Sequence, residues 1–317
     1  MEDETEIGMK WISSFWRRVG AFFIDSILLG VIGLLLGLAL EDLFVEVGGW
    51  GRLIGFAIAL PYFGIMNSKI AGGQTIGKRV LKLRVVNSEN QPIDIIRSFI
   101  RYSVIGVPFF LNGAQFTNEA LLSFWLYPLS FIVFGGFFSL IYLYIFNRVT
   151  RQSLHDLAVG TFVVNAGVSE QKLGSIWKPH LYIVGALFVT AAVVPSFTKT
   201  LSQSEPFKGL LATQIALTNN AEVNYAAVSY GKSTFVSASD ETNVTSYVGS
   251  KIFLKTNTVS NVELARELAK IILNNYPQAK NKNLIQVNLR YGYDIGIASK
   301  WNNHSYSFDP GELQANE

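Results

Sequence analysis

Over the first two thirds of the chain, apolar residues gather into long runs separated by polar stretches, and over the last third they alternate in short ones. The first run, Gly20 to Leu40, has about the 20 residues that a helix needs to cross a hydrocarbon core roughly 30 Å thick. A second opens at Trp50, an interfacial anchor type, and continues to Met66 through Pro61, which spanning helices tolerate. Between them lies a stretch with Glu41, Asp42 and Glu46 that predicts an acidic loop. Lys69 to Arg101 is polar, basic and rich in turn residues. Beyond it come a short weak apolar segment, Tyr102 to Phe116, a strong one, Leu121 to Phe146, and a last one, Leu181 to Phe197.

The final third predicts a different kind of structure. A helical pattern at Ser202 to Leu217 precedes alternating runs at Val223 to Tyr230 and Tyr247 to Thr256 that fit half-buried strands. Asn261 to Tyr276 places Val262, Leu264, Ala265, Leu268, Ile271 and Ile272 at helical spacing until Pro277 stops it. Two more alternating runs, Leu284 to Tyr291 and Tyr293 to Trp301, are split by Gly292, so the expected domain is α+β with an antiparallel sheet. It has one histidine, His304, and no acidic cluster or nucleophile-base pairing, which favours a binding or adaptor role over catalysis.

Loop charge orients the chain. Of the 15 lysines and arginines before the last span, 14 fall in the N-terminal arm and the loops at 69–101 and 147–180, with Arg52 the exception. Because cytoplasmic loops retain positive charge, those three segments are expected inside. The expected fold is thus a membrane α-helical bundle of about five transmembrane helices followed by a small soluble α+β domain. If 102–116 only lies in the interface, the count becomes four and the final domain changes sides. The expected parts are a cytoplasmic arm at 1–19, a membrane domain at 20–165, a linker and last helix at 166–197, and an extracytoplasmic domain at 198–317.

Composition fits this division, with 50% hydrophobic and 15% charged residues over 317 positions. A net charge of +3 without a dense basic patch argues against nucleic acid, and the lack of cysteine rules out disulfides and thiolate metal sites. No cofactor is implied. The first run is too long for a signal peptide and is expected to be retained.

Asp25 is the feature that demands a reason. A carboxylate near the centre of a spanning helix costs on the order of 3 kcal/mol and less near the interface, so a tolerated residue is the bland reading while a functional role is the default for an intramembrane charge. The stretch Gly72 to Arg79 has the glycine and lysine spacing of a phosphate-binding loop, but Arg79 replaces the magnesium-binding hydroxyl and no buried strand precedes it. Leu81 to Val86 alternates apolar and basic residues and fits a segment lying on anionic lipid headgroups. Gly33 and Gly37 permit close helix contact without implying a dimer.

Taken in order, RRVGAFFID at 17–25, GGQTIGKRVLKLRVVNSENQPI at 72–93, Arg101 and RQSLHDLAVGTFVV at 151–164 resemble the RDD family of bacterial membrane proteins, over roughly residues 12–165. The resemblance implies that Arg18, Asp25 and Asp156 are the named arginine and aspartates, and that Gly73, Thr75, Gly77 and Lys78 are the family's loop residues. It further implies a multi-pass protein of the bacterial cytoplasmic (inner) membrane, with transport the usual suggestion. Arg18 and Asp25 share a helix face about 10 Å apart along the axis, too far for a direct pair. Arg101 is the cation expected to pair with Asp25, leaving Arg18 for headgroups or Asp156, while His155 reads as an oriented loop residue before a proton relay. Two functions compete: transport of a proton, small ion or small solute through Asp25, which with so few helices implies a homo-oligomer, or a non-catalytic scaffold whose last domain binds a partner outside. An intramembrane enzyme lacks both a metal set and a nucleophile.

Overall fold

The computed structural model describes residues 10–114, 123–171, 175–236 and 242–315. They fall into two compact units, Met1–Leu36 with Trp50–Pro195 and Ile295–Ala298, and Gly37–Gly49 with Ser196–Asp294 and Ser299–Glu317.

Helix α1 (Phe15–Val47) is 33 residues long, about 50 Å at the usual rise. It departs from helical geometry at Leu40 and resumes, so Glu41, Asp42 and Glu46 are helical and the expected acidic loop is corrected. Neither glycine nor proline interrupts that stretch until Gly48, whose φ of +56° favours glycine and closes the helix. Helix α2 (Arg52–Met66) retains Pro61. The polar stretch after it is folded, with a short α3 (Ile76–Val80) capped by Thr75 and a strand β1 (Leu83–Val86).

Helix α4 (Ile95–Leu111) starts before the apolar segment expected at Tyr102, because the Asp94 side chain accepts from the Arg97 amide at 2.9 Å and caps it. Arg101 therefore stands inside a helix, two turns from its start, where the sequence placed it at a helix mouth. Phe116, the expected end of that segment, and Leu121, the expected start of the next, lie outside the described residues, as does Lys172. Helix α5 (Leu126–Phe146) contains a π-helical turn at Phe131–Gly135. A short α6 (Leu154–Val159), strand β2 (Phe162–Asn165) and helix α7 (Lys178–Ser202) follow.

Among the described residues, three helical stretches are long and apolar enough to cross a membrane: Phe15–Trp50, α5 and α7, with α2 apolar but shorter. Leu34, Leu38, Phe138, Val189 and Phe197 are exposed on them, which suits a hydrocarbon solvent. The polar segments are laced together on strands. β1 pairs antiparallel with β2, Leu83 opposite Asn165, and Ile12 bridges to Val164. Leu83, Val85 and Val86 are buried there, so the segment expected to spread on headgroups instead turns its apolar residues into the protein.

The second unit has α8 (Phe207–Thr218), β3 (Val223–Val236), β4 (Thr242–Leu254), α9 (Val262–Asn275), β5 (Leu284–Asp294), β6 (Ser299–Phe308) and α10 (Pro310–Ala315). The sheet runs in strand order 3-4-5-6. β4 and β5 are parallel, which corrects the all-antiparallel expectation: α9 lies between them as the crossover that a parallel pair requires. Leu210 and Leu217 of α8 and Leu268 and Ile272 of α9 bury against Ile252, Val287 and Leu289. β5 continues through Gly292, whose φ is +141° and whose added Cβ would meet the Lys300 carbonyl oxygen at 1.9 Å, so the expected break there is corrected.

Candidate functional site

Asp25 is fully buried, and its carboxylate takes three donors. Tyr62 Oη donates to Oδ1 at 2.7 Å, the Gly77 amide to the same oxygen at 2.8 Å, and Thr75 Oγ1 to Oδ2 at 2.6 Å. The aspartate is thus a latch that fastens the loop at 72–80 onto α1. Gly77 permits the approach, since a Cβ there would lie 2.0 Å from the Ala21 carbonyl oxygen. Gly73 serves the same loop: its φ is +73°, a Cβ would lie 2.4 Å from the Val85 oxygen, and its carbonyl accepts from the Val85 amide at 2.8 Å. The amide of Gly77, which a phosphate loop would offer to a nucleotide, is taken by Asp25.

Arg101 does not reach Asp25, which corrects the expected pairing. Its Nη2 donates to Asp156 Oδ1 at 2.7 Å, while Nε donates to that oxygen at 3.1 Å and to Thr161 Oγ1 at 3.2 Å. Arg18 Nη1 stands 4.0 Å from Asp156 Oδ2. Its own hydrogen bonds go to Ser13 Oγ at 2.7 Å, the Val163 carbonyl at 2.9 Å and the Arg151 carbonyl. One carboxylate from α6 is therefore shared by guanidiniums from α1 and α4, all three buried. The cause is local: Ser153 and Asp156 form a capping box that opens α6 and aims the carboxylate inward. Burial alone would push the Asp156 carboxyl up; His155, Arg101 and Arg18 outweigh it and hold it well below the usual carboxylate range.

His155 Nε2 lies 3.4 Å from Asp156 Oδ2, and its Nδ1 is buried without a hydrogen-bond partner. Burial pushes this imidazole down to about 3, the nearby guanidiniums and Lys78 adding to the effect against Asp156, so it is neutral near pH 7. Lys78 is half-buried, forms no ion pair among the described residues, and reaches Thr75 Oγ1 only at 3.5 Å. Burial and then Arg101 hold its ammonium down at about 8, against the pull of Asp25 and Asp156.

These groups converge on a cavity of about 420 Å³, within the range of small-ligand pockets. Arg18, Lys78, Arg101, His155, Asp156 and Asn67 form its polar end, and Phe22, Phe63, Ile105, Phe109 and Phe137 are among its apolar walls. An adjoining hollow of about 330 Å³ shares Arg18 and Tyr144 with it and adds Arg148 and Arg151. Counting Arg18, Lys78 and Arg101 against Asp156, the polar end is net cationic.

The sequence reading missed Tyr62, Asn67 and Thr161. Tyr62 and Asn67 are polar atoms at the end of an apolar run, a signal that was available; Thr161 follows the histidine and aspartate by five to six residues on the far side of a short helix.

Comparison with known proteins comes to the same part of the chain. Residues 12–160 match the RDD family, a match that ends just before β2. Over 169 residues the chain is 25% identical to "Uncharacterized protein YckC" of Bacillus subtilis (strain 168), covering 51% of this chain and 91% of that protein. No solved structure matches the chain.

Proposed function

Residues 12–160 belong to the RDD family, and from that premise we propose that this multi-pass membrane protein binds, and as an oligomer transports, a small anionic solute in the cavity at Arg18, Lys78 and Arg101. The single observation that carries the reading is Lys78, whose ammonium faces the cavity without a carboxylate partner among the described residues. An unpaired cation beside two guanidiniums is costly unless an anion completes it. Asp25 is a poor carrier of a proton or cation in this reading, because both its oxygens already accept hydrogen bonds. Its saturation favours the scaffold role for the aspartates alone: Asp25 and Asp156 lock the helices, and Lys78 serves the ligand. No catalytic step is proposed, and the domain from 198 onward is proposed to bind a partner outside the cytoplasm.

The orientation proposed is the one loop charge favours, in the bacterial cytoplasmic membrane with the N-terminus inside. It is supported by the strand pairing of β1 with β2 and by the bridge from Ile12 to Val164, since hydrogen-bonded polar segments share one side of a bilayer. On this reading an even number of crossings separates these segments, and α7 carries the chain across once more.

The test is binding of inorganic phosphate to the purified full chain, followed by phosphate flux after reconstitution. Lys78→Gln is expected to abolish both while raising or preserving thermal stability. Phosphate binding that ignores Lys78, or cation flux lost on Asp25→Asn at unchanged stability, overturns the anion reading.

A further inference from the structure

The cavity is open at its side. Phe22, Phe109, Ile141 and Ile145 line it, yet each is between 41% and 55% exposed, so the outer faces of α1, α4 and α5 show the same side chains to the surrounding bilayer. We propose that an anionic membrane lipid with a hydroxyl-bearing phosphate headgroup enters by this opening, the headgroup against Lys78 and an acyl chain along Phe22, Ile105, Phe109 and Phe137. The proposal rests on the anion-site reading and names its ligand class.

Three helices sort their lining in the same direction. Along α1 the order is Arg18 then Phe22, and along α4 it is Arg101, Ile105, Phe109, which at the usual rise puts the last about 12 Å deeper than the first. α5 runs the opposite way, with Tyr144 near its end beside the basic hollow and Phe137 seven residues, about two turns, before it. The site is therefore polar at one depth and apolar along the rest, the arrangement of an amphiphile standing in a leaflet. A water-soluble anion would fill the polar end and leave the apolar length wet.

The unpartnered groups define the headgroup further. Lys78 offers a cationic donor, while Asn67 Oδ1 and His155 Nδ1, in residues 2% and 7% exposed, are buried without a hydrogen-bond partner. Asn67 Nδ2 is committed to the Phe63 carbonyl at 2.9 Å, which leaves its oxygen as acceptor. With Nε2 of His155 turned toward Asp156, Nδ1 is an acceptor as well. Two orphaned acceptors in residues that line the same cavity as Lys78 suit a ligand with hydroxyl protons as well as anionic oxygens, such as a glycerol phosphate headgroup. The basic hollow with Arg148 and Arg151 would gather such headgroups at the mouth.

The experiment titrates the full chain in neutral detergent with three probes: lysophosphatidylglycerol, lysophosphatidylcholine with the same chain, and glycerol 3-phosphate. Lysophosphatidylglycerol is expected to bind at least about a hundredfold more tightly than either, because one supplies no net charge and the other no chain. Lys78→Gln should weaken it by about tenfold or more, and Ile105→Trp, which fills the apolar length, should weaken the lipid but leave glycerol 3-phosphate unchanged. Equal affinity for glycerol 3-phosphate and the lysolipid overturns the lipid inference and leaves the anion site standing. Equal affinity for the two lysolipids overturns the headgroup assignment. Binding of all probes independent of Lys78 overturns both this inference and the anion reading beneath it.

Discussion

Arg101 donates twice to a single oxygen of Asp156, through Nη2 at 2.7 Å and Nε at 3.1 Å, from 55 residues away in the chain. Asp156 also has Arg18 within 4.0 Å, so the carboxylate is the shared member and the arginines are not equivalent to it. Removing one partner of a buried pair costs about 3–5 kcal/mol, since the other is left as an uncompensated charge. Asp156→Asn strips both guanidiniums and is expected to lower the melting temperature in detergent more than Arg101→Gln, which leaves Asp156 its second cation. A larger loss for Arg101→Gln would show that the carboxylate is not the centre of the network.

Asp25→Asn keeps the shape of the side chain but replaces the oxygen that accepts from Thr75 with a donor, or, flipped, the one that accepts from Tyr62 and Gly77. A loss of about 1–3 kcal/mol is expected, together with faster tryptic cleavage at Lys78 and Arg79 as the loop lifts from α1. Because Arg101 is engaged elsewhere, Arg101→Gln adds its own loss and does not rescue Asp25→Asn. Recovery of stability in the double variant would restore the pairing that the geometry denies.

Gly77→Ala tests the latch from the other side. Its methyl would need room where the Ala21 carbonyl oxygen stands 2.0 Å away, so α3 must move off α1 and the amide bond to Asp25 breaks. Thermal stability is expected to fall at least as far as in Asp25→Asn, and Gly72→Ala, next to open space though at φ +69°, should cost less.

Lys78 supplies a pH dependence with a definite sign. It faces Arg101 on α4, Asp25 and Arg18 on α1 and Asp156 on α6, and its folded value of about 8 lies below the unfolded 10.5. Between those values the unfolded chain holds more protons, so the ligand-free protein gains stability from this group as pH rises from about 8 to 10.5, and bears the full penalty below 8. Anion affinity runs the other way and should fall as pH climbs above about 8. Subtracting the Lys78→Gln profile from the native one isolates both trends; a difference profile that is flat over this window counts against a burdened ammonium.

The sequence made the periodic parts of this architecture legible. The apolar runs at 20–40 and 121–146 and the amphipathic pattern at 261–276 correspond to α1, α5 and α9 within the described residues. What it could not show was which distant groups meet. Asp25 stood out because a charge in an apolar run has a cost, but its partners are a hydroxyl, a phenol and an amide, none of which carries a formal charge to attract notice. Arg101 was drawn to Asp25 because both were unpaired ionisable groups near apolar segments, while the true partner lay in a polar stretch where an aspartate needs no explanation. The parallel pairing of β4 with β5 was hidden for a related reason: alternation along a strand gives its buried face and says nothing of its neighbour's direction.

The separation of Arg101 from Asp156 also sets a timetable. Ribosomes add roughly 5 to 20 residues each second, so for several seconds after α4 emerges the partner of its buried guanidinium has not been synthesised. A buried guanidinium without its carboxylate is an uncompensated charge, costly to keep out of water. The guanidinium of α4 gains its carboxylate only once α5 and the capping box of α6 have been made, so the buried pair can close only late in synthesis.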